Sequence, residues 1–218
     1  MLEEFEEKLP AKLRSIFRGF RQPIDIQHYL DSIPYVGEER DRCPLDVMKD
    51  GQCHCLDGGL LAALALRRLG EPGLLIDLVP GRDARSRKLD DDHVLAVFKR
   101  DGRWGAVAKS NFAWLRYREP VHRDLRELAM SYFEAYFNTE KIKALRGYTR
   151  PFDIARYDAL SYAWNERGAA ELYKRFYARK PVQLISKKAE SRLEPADQRE
   201  FDSGFLGVDG DWVYHPER

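Results

Sequence analysis

The sequence predicts an α+β fold in which a central cysteine-bearing helix packs on a small antiparallel sheet, with helical additions at both ends. Two observations lead to this prediction. The residues from Gly58 to Leu69 form a long apolar segment, typical of a helix that is buried on most sides. The segments 74–79, 93–98 and 104–108 are short apolar runs bounded by turn residues, which is typical of buried strands.

The N-terminal part of the chain has a helical pattern. Apolar residues recur at helical spacing between residues 2 and 19, and Pro10 predicts a break or kink in this segment. Asp25 is a candidate N-cap for a short helix that runs through Leu30. Residues 45–48 predict one further helical turn before the central helix.

Clear boundary signals surround the central helix and the sheet. Gly70 and Pro72 predict the end of the helix. A charged loop, residues 81–92, separates the first predicted strand from the second, which begins at His93. The Asp101-Gly102 dipeptide then predicts a hairpin turn into the returning strand.

The C-terminal half is predicted to be mainly helical. Helices are expected over 125–137 and within 157–177, the second of them interrupted at Gly168. We therefore expect residues 1–150 to form the core with its N-terminal helices. Residues 151–218 are expected to form a helical extension packed on that core.

Charge and hydropathy exclude several classes of protein. The 37 basic and 36 acidic side chains are interspersed and give a net charge of +1, which provides no basic surface for nucleic acid. No apolar run approaches the ~20 residues that span a bilayer. The N-terminus lacks the basic and apolar regions of a secretory signal. We expect a cytoplasmic protein with neither a membrane nor a nucleic acid as partner.

The three cysteines do not indicate a disulfide framework or a metal site. Cys43, Cys53 and Cys55 are an odd, low number. Structural zinc takes four ligands, commonly from two short-spaced pairs, and Cys53-His54-Cys55 is one cluster without a second. Three other histidines are isolated in the sequence: His28, His122 and His215. The sequence therefore predicts no metal and no organic cofactor.

The position of Cys55 indicates a nucleophile. A thiol reacts as the thiolate, and a helix N-terminus stabilises that negative charge. Gly58 and Gly59 are interpreted as small residues that let a substrate approach the first helical turn. His93 is the candidate base, whereas His54 is expected to point away from Cys55. The alternative interpretation is that Cys53 and Cys55 are small buried residues without chemistry.

The order of these features resembles the transglutaminase-like domain of the papain-like cysteine superfamily. The resemblance rests on CLDGGLLAALALRRLGEP and DDHVLAVFKRDGRWGAVAKSN and covers about residues 51–111. Later stretches such as LRYREPVHRDLRELAMSYFEAYF resemble a bacterial branch of that superfamily. In that family the cysteine lies at the tip of the central helix, about fifteen residues before the glycine that ends it. Cys55 and Gly70 have this spacing, and Cys53 does not. The resemblance implies that Cys55 is the nucleophile and His93 its base.

One position departs from the family pattern. An aspartate usually follows the tryptophan of the third strand by four residues, and Ala108 stands there instead. Alanine cannot orient an imidazole. The departure is therefore an argument that the domain is inactive, unless another side chain replaces the aspartate.

The predicted hairpin offers two replacements, depending on its turn. A two-residue turn at Asp101-Gly102 places Ser110 opposite His93. A three-residue loop instead places Asn111 diagonal to His93. An asparagine carbonyl accepts the imidazole N–H in papain-type triads, and a serine can do so more weakly. Both residues are candidates for orienting the base.

The sequence thus predicts a thiol enzyme that acts on an amide or peptide bond, as a cysteine peptidase, an amidase or an acyltransferase. Cys55 attacks the carbonyl, His93 accepts and returns the proton, and Asn111 or Ser110 orients His93. A peptide or protein is the expected substrate. The alternative is a catalytically inactive transglutaminase-like domain that binds a peptide or protein partner in the same cleft.

Overall fold

The N-terminal helical pattern forms three helices in the computed structural model, which describes residues 1–216. The first two, α1 (Leu2–Lys8) and α2 (Ala11–Gly19), are separated at Pro10 as predicted. The third, α3 (Pro23–Ser32), has Gln22 as its N-cap. Asp25 is the third residue of this helix, and its carboxylate accepts a hydrogen bond from the Gln22 N–H at 3.1 Å.

The central helix forms as the sequence predicts. After α4 (Pro44–Asp50), the chain passes a left-handed Gly51 and enters α5 (Cys55–Arg68). Every residue of α5 from its start through residue 66 is buried. Cys55 is the first residue of the helix, so the prediction of a buried helix with this cysteine at its tip is confirmed.

The sheet is antiparallel and larger than the three strands expected. Its strands are β1 (Leu74–Pro80), β2 (His93–Arg100), β3 (Arg103–Val107), β4 (Arg118–His122), β5 (Leu145–Thr149), β6 (Phe152–Asp153) and β7 (Pro181–Gln183). The strand order is β4-β3-β2-β1-β5-β7, and β6 also pairs with β1. The predicted α+β class is confirmed.

The β2–β3 hairpin has the two-residue turn. Arg100 pairs with Arg103, and Asp101 and Gly102 have positive φ angles of 50° and 75°, as a type I′ turn requires. The three-residue loop therefore does not form. This register would bring Ser110 opposite His93, but the two strands separate before they reach these residues.

Two predicted helices differ from their expected bounds. The helix expected over 125–137 is shorter, α6 (Leu125–Met130), because the following aromatic residues form turns that direct their side chains into the core. In the next helical region, a 3-10 helix over Ile154–Leu160 precedes α7 (Glu166–Tyr177). Gly168 lies inside α7 and does not interrupt it.

The segment after residue 150 contributes both helices and strands. It supplies β6 and β7 to the sheet, along with α7, α8 (Lys187–Glu190) and α9 (Gln198–Gly204). One face of the sheet packs against α5, and a second apolar cluster, which includes α6, covers the other face. Within residues 1–216, none of the helices has the length and apolar character needed to cross a bilayer.

Candidate active site

Cys55 lies where the tip of α5 meets the start of β2. The residue is 7% exposed, and its thiol donates a hydrogen bond to the carbonyl of Asp92, with the sulfur and oxygen 3.7 Å apart. Within residues 1–216, the backbone N–H of Cys55 donates no hydrogen bond. The first helical turn therefore presents a thiol and an unpaired N–H at the same point.

The glycines behind Cys55 have a packing role that the sequence interpretation missed. A Cβ atom on Gly58 would lie 2.5 Å from Cβ of Lys109, and one on Gly59 would lie 2.9 Å from Cγ1 of Val94. Both glycines are buried, and neither lines the two cavities that border Cys55. Their lack of side chains brings α5 close to the hairpin, and this close approach places Cys55 beside the start of β2.

His93 is held at the head of β2 by a backbone carbonyl. Its Nε2 lies 2.6 Å from the oxygen of Leu115, and its ring meets Tyr132 edge-on at 6.4 Å. Burial lowers the pKa of His93 to about 4, although the Leu115 carbonyl opposes this shift. His93 is therefore neutral at pH 7. With the proton on Nε2, its Nδ1 carries a free lone pair.

The structure brings the four predicted residues to one cavity. Cys55, His93, Ser110 and Asn111 all line a space of about 60 Å³. Within residues 1–216, no hydrogen bond joins the Cys55 sulfur to the His93 ring, because the thiol faces the Asp92 carbonyl. Catalytic hydrogen bonds are often long before substrate binds, so this absence does not contradict a Cys–His pair.

Neither Asn111 nor Ser110 orients the imidazole. The Ser110 hydroxyl accepts from the Phe112 N–H at 3.0 Å. The Asn111 side chain bonds to the backbone of Asp209 and Trp212. The acceptor behind His93 is the main-chain carbonyl of Leu115, a group that every residue type carries and that sequence patterns cannot reveal.

Two buried side chains hold the segment that carries Ser110 and Asn111. The Gln27 amide both donates to the carbonyl and accepts from the N–H of Ala108, at 3.0 Å in each case. The Lys109 ammonium donates to the carbonyl of Leu30 in the last turn of α3, at 2.7 Å. The position that carries an aspartate in the resembled family thus has a structural role through its backbone.

His54 provides a second imidazole beside the Cys55 thiol. The sequence analysis expected this side chain to point away from Cys55. Its Nδ1 lies 3.3 Å from the Leu56 nitrogen, and only the neutral ring can accept the Leu56 N–H there and cap α5. Its Nε2 lies 3.5 Å from Oδ1 of Asp41 and 3.4 Å from Oδ2 of Asp57. Burial lowers the pKa of His54, but hydrogen bonding to Asp41 and Cys55 and the Asp57 charge outweigh it and raise the pKa to about 10.

The Asp41–His54–Asp57 cluster also has the residue types of a cation site. One ligand atom from each residue lies within 4.8 Å of the others, and Oδ2 of the buried Asp57 accepts no hydrogen bond within the described chain. A metal would need the lone pair of Nε2. In the neutral ring the Leu56 bond to Nδ1 leaves the proton on Nε2, and the imidazolium has protons on both nitrogens. The cluster therefore fits an ion pair better than a metal centre.

A larger cavity opens on the other side of the thiol. It has a volume of about 310 Å³ and shares Cys55 with the smaller one. Aromatic and acidic side chains dominate its walls: Tyr35, Tyr173, Tyr177, Glu38, Asp41, Asp91 and Asp92. A cavity of this size can hold a side chain and part of a backbone beside the thiol.

Comparison with known proteins gives no match, either to a family model or to a curated protein. The chemistry of the site is therefore inferred from its own geometry.

Replacing His54 should slow the alkylation of Cys55. The folded pKa of His54, about 10, exceeds the ordinary 6.5, so the charged ring stabilises the native state fully below pH 6.5 and loses this effect as the pH rises through 10. We expect His54→Ser and His54→Ala to slow the alkylation of Cys55 at pH 7 about tenfold, because the cation beside the sulfur is lost.

The two variants separate charge from helix capping. Serine can accept from the Leu56 N–H and cap α5, whereas alanine cannot, so the free energy of unfolding should be about 1 kcal/mol higher for His54→Ser than for His54→Ala. Chemical denaturation measures that difference, and iodoacetamide alkylation at pH 7 measures the reaction rate. An unchanged rate in both variants would show that His54 has no electrostatic effect on the thiol.

Proposed function

We propose that the protein is a thiol enzyme that cleaves or transfers an acyl group at an amide or peptide bond. The observation that carries the proposal is the shared cavity. A cysteine at the tip of a buried helix and a neutral histidine with an acceptor behind its ring line the same small space. This set of groups is the one that nucleophilic acyl transfer requires.

The proposed reaction uses the groups at the helix tip in order. The thiol proton passes to Nδ1 of His93, and the Cys55 sulfur bonds to the substrate carbonyl carbon. The Cys55 N–H, which has no partner within residues 1–216, donates to the oxyanion. The C–N bond then breaks, and the imidazolium returns its proton to the leaving amine. Water or a second amine releases the acyl group from the resulting thioester.

His93 and His54 have different roles in this proposal. His93 is unprotonated above about pH 4, so it can accept a proton throughout the neutral range. The Leu115 carbonyl holds its Nε2–H and stabilises the imidazolium that forms. His54, with its raised pKa, supplies positive charge beside the sulfur.

The finer fold assignment and the location belong to the same proposal. A helix-tip cysteine beside a histidine-led antiparallel hairpin supports a transglutaminase-like arrangement. Cys43, Cys53 and Cys55 are all free thiols, which is typical of proteins in a reducing compartment such as the cytoplasm.

A peptide-binding domain without turnover is the alternative function. It is favoured by the thiol facing the Asp92 carbonyl instead of the His93 imidazole. Such a domain would bind peptide in the same cleft but would form no covalent intermediate.

Acylation by p-nitrophenyl acetate tests the proposal. We expect a burst of one p-nitrophenolate per protein and an acetyl group on Cys55, identified by mass spectrometry. His93→Ala should slow the burst about 10²–10⁴-fold, because the proton acceptor is lost. The acid limb of the wild-type pH profile should lie near pH 4, the pKa that burial gives His93, and not near 6.5.

His28→Ala is the matched control, since His28 is an exposed imidazole on α3. It should leave the burst unchanged. A wild-type protein that forms no acetyl adduct would contradict the enzyme proposal and favour the peptide-binding alternative. A His93→Ala variant with the wild-type burst rate would exclude His93 as the base.

A further inference from the structure

The chain crosses the site a second time after α9. Residues 205–214, which we term the strap, run over the cavity that contains Cys55 and His93. Phe205 meets Phe112 edge-on at 5.4 Å, and Trp212 packs so close to Gly37 that a Cβ there would lie 3.3 Å from its ring. The Tyr214 hydroxyl donates to the Lys88 carbonyl at 3.4 Å.

Asn111 holds the backbone of the strap. Its Oδ1 accepts from the Asp209 N–H at 3.0 Å, and its Nδ2 donates to the Asp209 carbonyl at 2.8 Å and to the Trp212 carbonyl at 3.4 Å. An amide that pairs with both main-chain groups of one residue recognises a peptide backbone whatever its side chains are. Peptide-binding proteins use main-chain hydrogen bonds in this way to obtain affinity without sequence dependence.

The strap accounts for the small size of the catalytic cavity. Trp212 and Tyr214 line that cavity together with Cys55 and His93, and about 60 Å³ remains. This volume is well below the roughly 300–1,000 Å³ of cavities that hold a ligand. The cavity on the other side of Cys55, which the strap does not line, has about 310 Å³.

The segment that Asn111 binds is a single turn, a 3-10 helix over Gly210–Trp212 with Asp209 as its N-cap. We propose that the strap occupies, in the same chain, the groove that receives a peptide substrate in this turn conformation, with an aromatic side chain at the position of Trp212. Asn111 would bind the substrate backbone as it now binds the strap. This inference rests on the proposed function for its catalytic meaning, and it names a peptide segment as the substrate class.

The strap and a peptide must then compete for one groove. The apparent affinity of a peptide falls in proportion to the fraction of molecules whose groove is open. Removing the Trp212 ring weakens the strap and raises that fraction. The groove in the Trp212→Ala variant should therefore bind added peptide more tightly than the wild-type groove does.

The test uses the full chain and a fluorescent synthetic peptide with the strap sequence from Phe205 to Tyr214. We expect Trp212→Ala to bind this peptide about tenfold more tightly than wild type, as a larger open fraction requires. Leu206→Ala is the matched control, because Leu206 lies in the same strap with 79% of its surface exposed. It should bind the peptide as wild type does.

A second measurement does not depend on the variant. Saturating peptide should speed hydrogen exchange of strap amides in the wild-type protein, and a peptide with alanine in place of its tryptophan should do so much less. Failure of the peptide to bind Trp212→Ala, or equal binding to all three proteins, would overturn the inference.

Iodoacetamide labelling in the same samples keeps this inference separate from the proposed function. Peptide binding with an unreactive Cys55 would support the groove and contradict the enzyme. A reactive Cys55 without peptide binding would leave the enzyme and remove the strap proposal.

Discussion

Cys55→Ala should abolish rapid alkylation of the protein, whereas Cys53→Ala should leave it nearly intact. Cys55 lines both cavities at the N-terminus of α5, where a reagent can reach its sulfur. Cys53 is fully buried, and burial raises its pKa to about 12. Burial likewise raises the pKa of Cys43 to about 12. At pH 6 these two residues are thiols shielded from reagent.

Iodoacetamide labelling followed by peptide mapping measures this difference directly. Single-site modification should fall on Cys55 in wild type, because Cys43 and Cys53 line neither cavity. Loss of labelling in Cys53→Ala would identify Cys53, two residues before Cys55, as the nucleophile and would overturn the proposed site.

Gly168→Ala should strongly destabilise the protein. A Cβ atom at this position would lie 1.9 Å from the Leu160 carbonyl oxygen and 3.0 Å from its carbon. Both partners are backbone, so the contact cannot be relieved by a side-chain rotation, and α7 would have to move away from the preceding 3-10 helix. We expect the free energy of unfolding to fall by about 3 kcal/mol or more.

Thermal unfolding provides the measurement. A loss of this size should lower Tm by roughly 10 °C in a chain of this length. Gly19→Ala is the matched control, because Gly19 is also helical and a Cβ there meets nothing within 4 Å. That change should be neutral or stabilising by up to about 1 kcal/mol. Equal Tm values for both variants would show that α7 adapts to a side chain at Gly168.

Local sequence determined the elements that later carry the site. The apolar run from Gly58 to Leu69, the turn at Asp101-Gly102 and the break at Pro10 all formed as predicted, because each depends on residues close together in the chain. The helix-tip position of Cys55 followed from the same local signals.

Other features depended on contacts between distant residues. Glycine is a typical helix breaker, yet Gly168 lies inside α7. Its missing side chain leaves room for the Leu160 carbonyl, which packs against the helix at this point. The helix expected over 125–137 ended at residue 130 because the tyrosines that follow bury their rings and bond distant carbonyls. Strands β6 and β7 were too short to give a period-2 pattern.

The sequence by itself thus determined the candidate nucleophile and the histidine that shares its cavity, since a helix start and a strand start are local features. Only the tertiary structure decided what surrounds them. Leu115 reaches His93 through a backbone carbonyl, His54 turns toward the thiol between two carboxylates, and Asn111 binds the strap. These partners are main-chain groups or residues distant in the chain, and they meet only when packing brings them together.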